Sequence, residues 1–287
     1  MTDVSQYNGK FHRASSPSPN VLLLEFNRKP ANAFHDPFWM EMRDIIERVS
    51  RDGNIRCIVL SSALDKFFTA GLDLDGTSIG KAVNLDAARR GFELYNHIKD
   101  FQDAISSLEH CRQPVICAMY GYALGLAIDI ASACDVRFAA SNVTMGIMEV
   151  KVGLAADIGT LQRLPKVVGN GSLARELALT GRKFGAATAQ ELGFVSKVVD
   201  GGRQEVIDAA LVLAKEIAEN SPVAVYGTKH IMNHARDHAV QEGLNYEAAW
   251  NASALQSNDT AASILGVRKR QVPVYENLPS AHVPAKL

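Results

Sequence analysis

The chain has 287 residues, 47% of them hydrophobic, and its 30 basic and 31 acidic residues leave a formal net charge of -1. This length and apolar content allow one large domain with a sizeable core, while the balanced charge argues against nucleic acid or an anionic membrane as a general partner. The sequence contains no run of eighteen apolar residues, so we expect no membrane span.

In the first 120 residues, short apolar runs alternate with amphipathic stretches. The pattern predicts strands over residues 21–26, 55–61 and 114–119. Helical spacing predicts a helix that begins with Asp36 as its N-cap, and a longer helix over residues 86–111 whose buried stripe includes Phe92, Tyr95 and Phe101. Strand, helix and strand in succession indicate a largely parallel sheet covered by helices.

Three acidic residues, Asp129, Glu149 and Asp157, stand in a segment from 121 to 159 that is otherwise mostly apolar or small. An acid in such surroundings loses solvation when it ionises, so it is neutralised, finds a partner or is ready to transfer a proton near neutral pH. This segment is therefore the first candidate for an active site.

Two turns near these acids could offer backbone N–H groups. Ala70-Gly71 follows an apolar pair at the end of a strand, where a tight turn can leave N–H groups pointing outward. A helix predicted to begin near Leu126 would direct its free N–H groups and positive dipole end at whatever lies before it.

The remaining third of the chain is predicted to be helical, over residues 204–219, 223–240 and 244–258. We expect a core with the active site over residues 1–200, a helical region over 201–270 and an extended tail over 271–287. The tail ends in Ala285, Lys286 and Leu287, which keep the small, basic, Leu order of a peroxisomal address read by an import receptor. The expected location is the peroxisomal matrix.

Neither a metal site nor a disulfide framework is expected. His230, His234 and His238 are spaced four apart, as histidine pairs that bind a metal can be, but their polar neighbours indicate a solvated helix face. The four cysteines lack CxxC spacing, which favours buried free thiols in a reducing compartment.

Several motifs in order resemble those of the crotonase (enoyl-CoA hydratase/isomerase) superfamily. They are Ala70-Gly71-Leu72-Asp73-Leu74, Gly121-Tyr122-Ala123-Leu124-Gly125, Ala133-Cys134-Asp135-Val136-Arg137 and Gly153-Leu154. The resemblance covers roughly residues 20 to 270 and implies an α/β fold, the ClpP/crotonase-like ββα-superhelix core with a C-terminal helical region. The spacing of the three acids and the segment 153–170 resemble the Δ3,5-Δ2,4-dienoyl-CoA isomerase branch.

The resemblance implies isomerisation of 3,5-dienoyl-CoA to 2,4-dienoyl-CoA in fatty acid β-oxidation, with no metal or organic cofactor beyond the CoA of the substrate. It assigns the oxyanion hole to the N–H groups of Ala70 and Leu126, which would stabilise the thioester enolate. The substrate-binding residues it implies are Ala70, Gly71, Leu72, Asp73, Leu74 and Leu126.

By the same resemblance, Glu149 takes a proton from C2 and Asp157 returns one at C6, although these two roles could be reversed. Asp129 would tune both through like-charge repulsion. The superfamily commonly has glycine at the position of Leu126. This difference leaves the identity of the acyl group of the substrate undecided.

Two other classes of function remain as alternatives to this isomerase. The nearer is another CoA enzyme, either a 2-enoyl-CoA hydratase, which would use Asp129 and Glu149 to hold a water molecule, or another crotonase-type acyl-CoA isomerase. The more distant is a non-catalytic or RNA-binding relative. The C-terminal helices are expected to assemble a homotrimer or homohexamer, as in the superfamily.

Overall fold

The computed structural model describes residues 2–74 and 85–280, which form two β-sheets covered by helices. The strands are β1 (His12–Ser15), β2 (Val21–Phe26), β3 (Cys57–Ser62), β4 (Phe67–Thr69), β5 (Val115–Met119), β6 (Tyr122–Leu124), β7 (Val136–Ala140), β8 (Thr144–Gly146), β9 (Phe184–Gly185) and β10 (Lys197–Val199). The helices are α1 (Asp36–Ser50), α2 (Ala87–His110), α3 (Leu126–Ala133), α4 (Thr160–Val167), α5 (Gly171–Thr180), α6 (Ala186–Glu191), α7 (Arg203–Ala218), α8 (Pro222–Ala235), α9 (Val240–Ala254) and α10 (Asn258–Lys269).

The larger sheet has six strands in the order β1-β2-β3-β5-β7-β10. Its strands run parallel except for β1, which pairs antiparallel with β2. Strand β2 has the predicted bounds, and the predicted parallel, helix-covered sheet is confirmed.

Alternate side chains of the larger sheet enter two apolar cores. In β2, Val21 and Leu23 lie in the core on the α7 side, whereas Leu22, Leu24 and Phe26 lie in the opposite core with residues of α1, α2 and α3. Successive residues of a strand point to opposite faces, so a run without polar residues over 21–24 is what a strand covered on both faces requires.

The smaller sheet, in the order β4-β6-β8-β9, arises because the chain leaves the larger sheet at the same edge each time. Strands β3 and β5 are parallel, so their carboxyl ends lie at one edge, and from there the chain enters β4 and β6. Because β4 and β6 also pair in parallel, the segments that follow them are brought side by side. These are the turn at Gly71 and the turn at Gly125.

Two predictions about the helices were wrong. The N-cap of α1 is His35, with Asp36 as the first helical residue. On α2, Phe92 and Tyr95 are 73% and 64% exposed, because only the second half of this helix, including Phe101, packs on the core.

The C-terminal helices contact the core to different degrees. Helix α7 covers one face of the larger sheet, while α9 has no buried residue within the protomer. The predicted helix over 244–258 corresponds to α9, which begins at Val240 and ends at Ala254, and residue 258 begins α10.

Residues 271–280 contact the amino-terminal edge of the larger sheet. Arg56 Nη2 donates to the carbonyl oxygen of Tyr275 at 2.7 Å, and the Gly53 N–H donates to Ser280 Oγ at 3.0 Å. Gly53 and Arg56 directly precede β3, so the chain reaches residue 280 at the edge opposite to the turns at Gly71 and Gly125. The terminal residues Ala285, Lys286 and Leu287 lie outside the described ranges.

The histidines on α8 make ordinary polar and ring contacts. His230 Nε2 lies 2.6 Å from the Tyr246 hydroxyl oxygen, and the His234 ring stacks on those of His238 and Tyr246. Within residues 2–74 and 85–280 no three His, Cys, Asp or Glu side chains are grouped as metal ligands, and no helix there has the length and hydropathy to cross a membrane. All four cysteines are free and buried, as predicted.

Candidate active site

Two glycine turns face each other at the carboxyl edge of the sheet. Gly71 and Gly125 have φ angles of +97° and +54°, which side chains other than glycine rarely adopt. A β-carbon on Gly71 would lie 3.0 Å from the Leu124 carbonyl oxygen, and one on Gly125 would lie 3.8 Å from Gly71 Cα. The φ angle therefore favours glycine at both positions, and at Gly71 the close approach of the Leu124 carbonyl oxygen favours it as well.

In each turn, one peptide unit has its carbonyl oxygen bonded within the protein, so the N–H of that unit points the other way. The C=O and N–H of a trans peptide unit point in opposite directions. Gly71 O accepts the Phe34 N–H at 2.8 Å, so the Leu72 N–H of that unit points away from Phe34. Gly125 O accepts the Ile128 N–H at 2.8 Å, so the Leu126 N–H points out of the amino end of α3. The dipole of α3 adds positive potential there.

The expected donor role of Ala70 is not supported by its geometry, whereas that of Leu126 is. The Ala70 N–H donates to the carbonyl oxygen of Ala31 at 2.9 Å and is already engaged. The Leu72 N–H replaces it as the candidate donor in this turn. Asp73 pairs with Arg28, with Arg28 Nη2 2.7 Å from Asp73 Oδ2.

The other expected substrate-binding residues differ in exposure. The Leu74 side chain is exposed at the end of the described segment, whereas the Leu126 side chain is buried in the apolar core.

The three acids are delivered by three separate elements around the turns. Asp129 lies in the first turn of α3, Glu149 begins a short 3-10 turn, Glu149–Lys151, and Asp157 lies in the loop before α4. A β-carbon on Gly125 would lie 3.3 Å from Glu149 Oε1. The structure thus brings the predicted acids to the same edge as the two N–H groups.

Asp129 is fixed in the protein interior. It is 1% exposed, and its Oδ1 accepts the Thr160 N–H at 2.7 Å. Burial raises the pKa of Asp129 to about 7, an effect that hydrogen bonding from Thr160 opposes and the charges of Glu149 and Asp157 reinforce. Near neutral pH this carboxyl group is therefore close to its protonation midpoint.

Glu149 has one carboxyl oxygen ready for a further contact. Its Oε2 is buried and has no hydrogen-bond partner among the described residues. Burial is the main cause of the raised pKa of Glu149, and the charge of Asp157 raises this pKa further. A buried carboxyl oxygen without a partner is unfavourable in a folded protein, and such oxygens are found where a substrate or water completes the site.

Asp157 is the most accessible of the three acids. It is exposed on the protomer, and the Gln102 side-chain amide of α2 donates to its backbone carbonyl oxygen at 2.7 Å. Partial burial raises the pKa of Asp157, while the nearby His97 lowers it. His97 itself pairs with Asp36, at 3.0 Å between Nε2 and Oδ1.

Sequence reasoning missed the residues that support the site. Among them are Thr160, which anchors Asp129, Gln102, which holds the Asp157 loop, and Asn32, which lies beneath the Gly71 turn. The first two are ordinary helix residues with no local signal. Asn32 had a weak one, since an Asn after Pro30 in a short loop suits the left-handed conformation that it adopts, with φ of +50°.

The sequence and structure of this chain resemble known proteins over most of its length. The sequence pattern of the enoyl-CoA hydratase/isomerase family matches residues 17–277. A human mitochondrial protein named Delta(3,5)-Delta(2,4)-dienoyl-CoA isomerase is 44% identical over 255 residues, 88% of this chain and 77% of its own length. A peroxisomal protein of that name from Arabidopsis thaliana is 36% identical over 90% of this chain and 94% of its own.

Among solved structures, DspI of Pseudomonas aeruginosa superposes with a TM-score of 0.84 at 29% identity, covering 96% of this chain and 100% of that one. These findings confirm the expected crotonase-type α/β core with its C-terminal helical region. The chain belongs to the enoyl-CoA hydratase/isomerase family, that is, to the crotonase superfamily.

Proposed function

We propose that the protein isomerises 3,5-dienoyl-CoA to 2,4-dienoyl-CoA, the reaction for which its human and Arabidopsis relatives are named. The observation that carries the proposal is the third acid. Asp157, with a raised pKa, stands at the same edge as Glu149 and the two outward N–H groups. A proton shift between distant carbons needs two proton-transfer groups in opposite states.

The thioester oxygen would bind between the N–H groups of Leu72 and Leu126. When C2 loses a proton, negative charge spreads to this oxygen, and donors already aimed at it stabilise the enolate without reorganising. The loss of one such donor typically lowers a rate by about 10²- to 10³-fold. The support for these two donors is the direction of their peptide units.

Glu149 is proposed as the base at C2 and Asp157 as the acid at C6. The C2–H electron pair becomes the C1=C2 bond of an extended enolate that keeps the C3=C4 and C5=C6 bonds. Protonation at C6 then returns the electrons from oxygen and leaves double bonds at C2=C3 and C4=C5. The unpartnered Oε2 of Glu149 supports the first assignment, and the accessible position of Asp157 supports the second.

Asp129 is proposed to control the charge of the other two acids. Its carboxyl group is buried and held by Thr160, so it stays in place while its protonation state changes the potential at Glu149 and Asp157. The proposed route uses side-chain carboxyl groups for proton transfer and backbone N–H groups for the enolate, with no metal or organic cofactor besides the CoA of the substrate.

The test is a spectrophotometric assay with 3,5-octadienoyl-CoA and, in parallel, 2-octenoyl-CoA. We expect the conjugated 2,4-dienoyl chromophore to appear, and Glu149→Gln to slow it about 10²- to 10⁴-fold, the range for losing a general base. The exposed Glu216→Gln serves as the matched control and should behave as wild type. Loss of the enoyl absorbance alone would instead identify a hydratase.

We further propose that the protein works in the peroxisomal matrix, brought there by an import receptor that reads Ala285, Lys286 and Leu287. The support is the sequence of this tripeptide and the peroxisomal name of the Arabidopsis relative, although the human relative is named mitochondrial. A fluorescent protein fused to the amino terminus should label peroxisomes, and removal of the three residues should abolish that pattern. A mitochondrial pattern would contradict the proposal.

A homotrimer or homohexamer is proposed as the working assembly. It is supported by apolar side chains that the protomer leaves exposed, including Phe92 and Tyr95 on α2 and Leu244 and Leu255 at the C-terminal helices. Sedimentation velocity should give three or six times the protomer mass of 31.1 kDa. A monomer would contradict this assembly, whereas the proposed chemistry is tested by the spectrophotometric assay.

A further inference from the structure

The turn that carries the Leu72 N–H lies along a second segment of backbone, residues 31–34. The Ala70 N–H donates to Ala31 O at 2.9 Å, and the Phe34 N–H donates to Gly71 O at 2.8 Å. The Asp73 N–H donates to Phe34 O, also at 2.8 Å. Together these bonds fix the peptide units on both sides of Leu72, so segment 31–34 acts as a template for the turn.

Thr69 closes the turn from within. Its hydroxyl group donates to Asn32 O at 2.6 Å and its Oγ1 accepts the Gly71 N–H at 3.0 Å. Thr69 is fully buried, so no water can replace the hydroxyl group without disturbing the packing. One hydroxyl group therefore links the template to the peptide unit that precedes the Leu72 N–H.

Asn32 fixes the template itself. It is fully buried and in the left-handed conformation, with φ of +50°. Its side-chain oxygen accepts the Arg28 N–H at 2.7 Å, and its amide donates to Ser62 Oγ at 2.7 Å and to Phe68 O at 3.0 Å. A buried amide with each end bonded is well ordered, and here it ties residues 28–32 to β3 and β4.

We propose that Thr69 and Asn32 are positioning residues for the isomerase: through hydroxyl and amide hydrogen bonds they hold the Gly71–Leu72 peptide unit so that its N–H meets the thioester oxygen. This inference rests on the proposed function and on Leu72 as one of the two donors. Neither side chain touches the substrate, and both act through the backbone orientation of the turn.

The stabilisation of the thioester oxygen depends steeply on the direction of its N–H donors. A donor helps only if it is aimed at the oxygen as charge develops, and a small displacement removes much of that help. Without the Thr69 hydroxyl group, the Gly71 N–H loses its acceptor. Among the described residues, the Gly71–Leu72 peptide unit then keeps only its bond to Phe34, and the freedom of glycine lets its orientation vary more. Turnover should then fall while substrate binding is largely retained, because the buried Thr69 side chain acts only through the backbone of the turn.

The experiment compares Thr69→Val, which keeps the side-chain shape but removes the hydroxyl group, with Thr69→Ser, which keeps the hydroxyl group. We expect Thr69→Val to lower kcat about 10- to 100-fold with little change in KM, and Thr69→Ser to restore most of the rate. Ser61→Ala is the matched control, because Ser61 Oγ donates to Ala118 O at 2.9 Å in the neighbouring strand without touching the turn. Thr69→Ala serves if Thr69→Val does not fold.

A second readout follows the oxyanion hole directly. Donors aimed at the thioester oxygen polarise bound 2,4-dienoyl-CoA and move its absorption to longer wavelength; Thr69→Val should reduce this shift and Ser61→Ala should keep it. If the shift and kcat of Thr69→Val both equal those of wild type, Thr69 is structural and the inference fails. If wild type itself does not convert 3,5-octadienoyl-CoA, the proposed function fails first.

Discussion

Asp129 and Asp157 are the same amino acid in two opposite environments of one site. Asp129 is enclosed on α3 and held by the Thr160 N–H, whereas Asp157 is exposed on a loop supported by Gln102 through its backbone. Burial is the main cause of the raised pKa in both, and it raises the pKa of Asp129 to about 7. The contrast suggests that the site separates a fixed charge from an acid that is free to meet the substrate.

The largest expected effect tests the accessible acid. Asp157→Asn should lower isomerisation about 10²- to 10⁴-fold, since protonation at C6 loses its acid. Exchange of the C2 hydrogen with solvent deuterium should persist, because Glu149 is intact, and mass spectrometry of recovered substrate measures it. Loss of that exchange together with isomerisation would reverse the roles of Glu149 and Asp157.

The next effect tests the enclosed acid through stability. The pKa of Asp129 rises from 3.8 to about 7 on folding, so between these values the folded state binds more protons than the unfolded state, and stability falls as pH rises. Asp129→Asn keeps an acceptor for the Thr160 N–H but removes the titration. The variant should therefore gain, relative to wild type, on the order of 3 kcal/mol in the free energy of unfolding from about pH 4 to about pH 7.

Urea unfolding of both proteins across this pH range measures the difference. Asp157→Asn is the comparison, and we expect a smaller pH-dependent gain from it because that carboxyl group remains accessible to water. An equal gain from the two variants would remove the distinction between an enclosed and an accessible acid.

A smaller effect is expected from the support of the Asp157 loop. Gln102→Leu removes the donor to the Asp157 carbonyl oxygen and should lower kcat about 3- to 10-fold, the cost of roughly one neutral hydrogen bond. The pH dependence of the free energy of unfolding that arises from Asp129 should not change. A variant with wild-type kcat would show that the loop is held by other contacts.

The smallest effect concerns the charge beside Asp157. His97 lowers the pKa of Asp157, so His97→Gln should raise that pKa and extend activity to higher pH on the limb where the acid must be protonated. The pH profile of kcat measures it. A limb that moves to lower pH would exclude this role for His97.

The fold was largely predictable because its signals are local. The apolar run over 21–26 predicted a strand covered on both faces, and the alternation of its side chains between two cores explains why no polar position interrupts residues 21–24. Phe92 and Tyr95 were predicted to be buried because periodicity identifies an apolar face without identifying what covers it. In the protomer nothing on the described chain buries them.

The sequence predicted which segments form the candidate site, but not which N–H groups in them are available. The three acids were found from composition and resemblance, but the N–H donor was assigned to Ala70 when the direction of the peptide units favours Leu72. Only the pairing of residues 31–34 with residues 69–73 decides which N–H groups are used internally. That pairing joins parts of the chain almost forty residues apart, so no local pattern reports it.

The attachment of residues 271–280 at the amino-terminal edge of the sheet has an evolutionary consequence. The turns of the candidate site lie at the carboxyl edge. Insertions, deletions or substitutions after residue 280 therefore begin at the opposite edge of the sheet from the acids. Selection could therefore change the end of such a chain without altering the acids of the site.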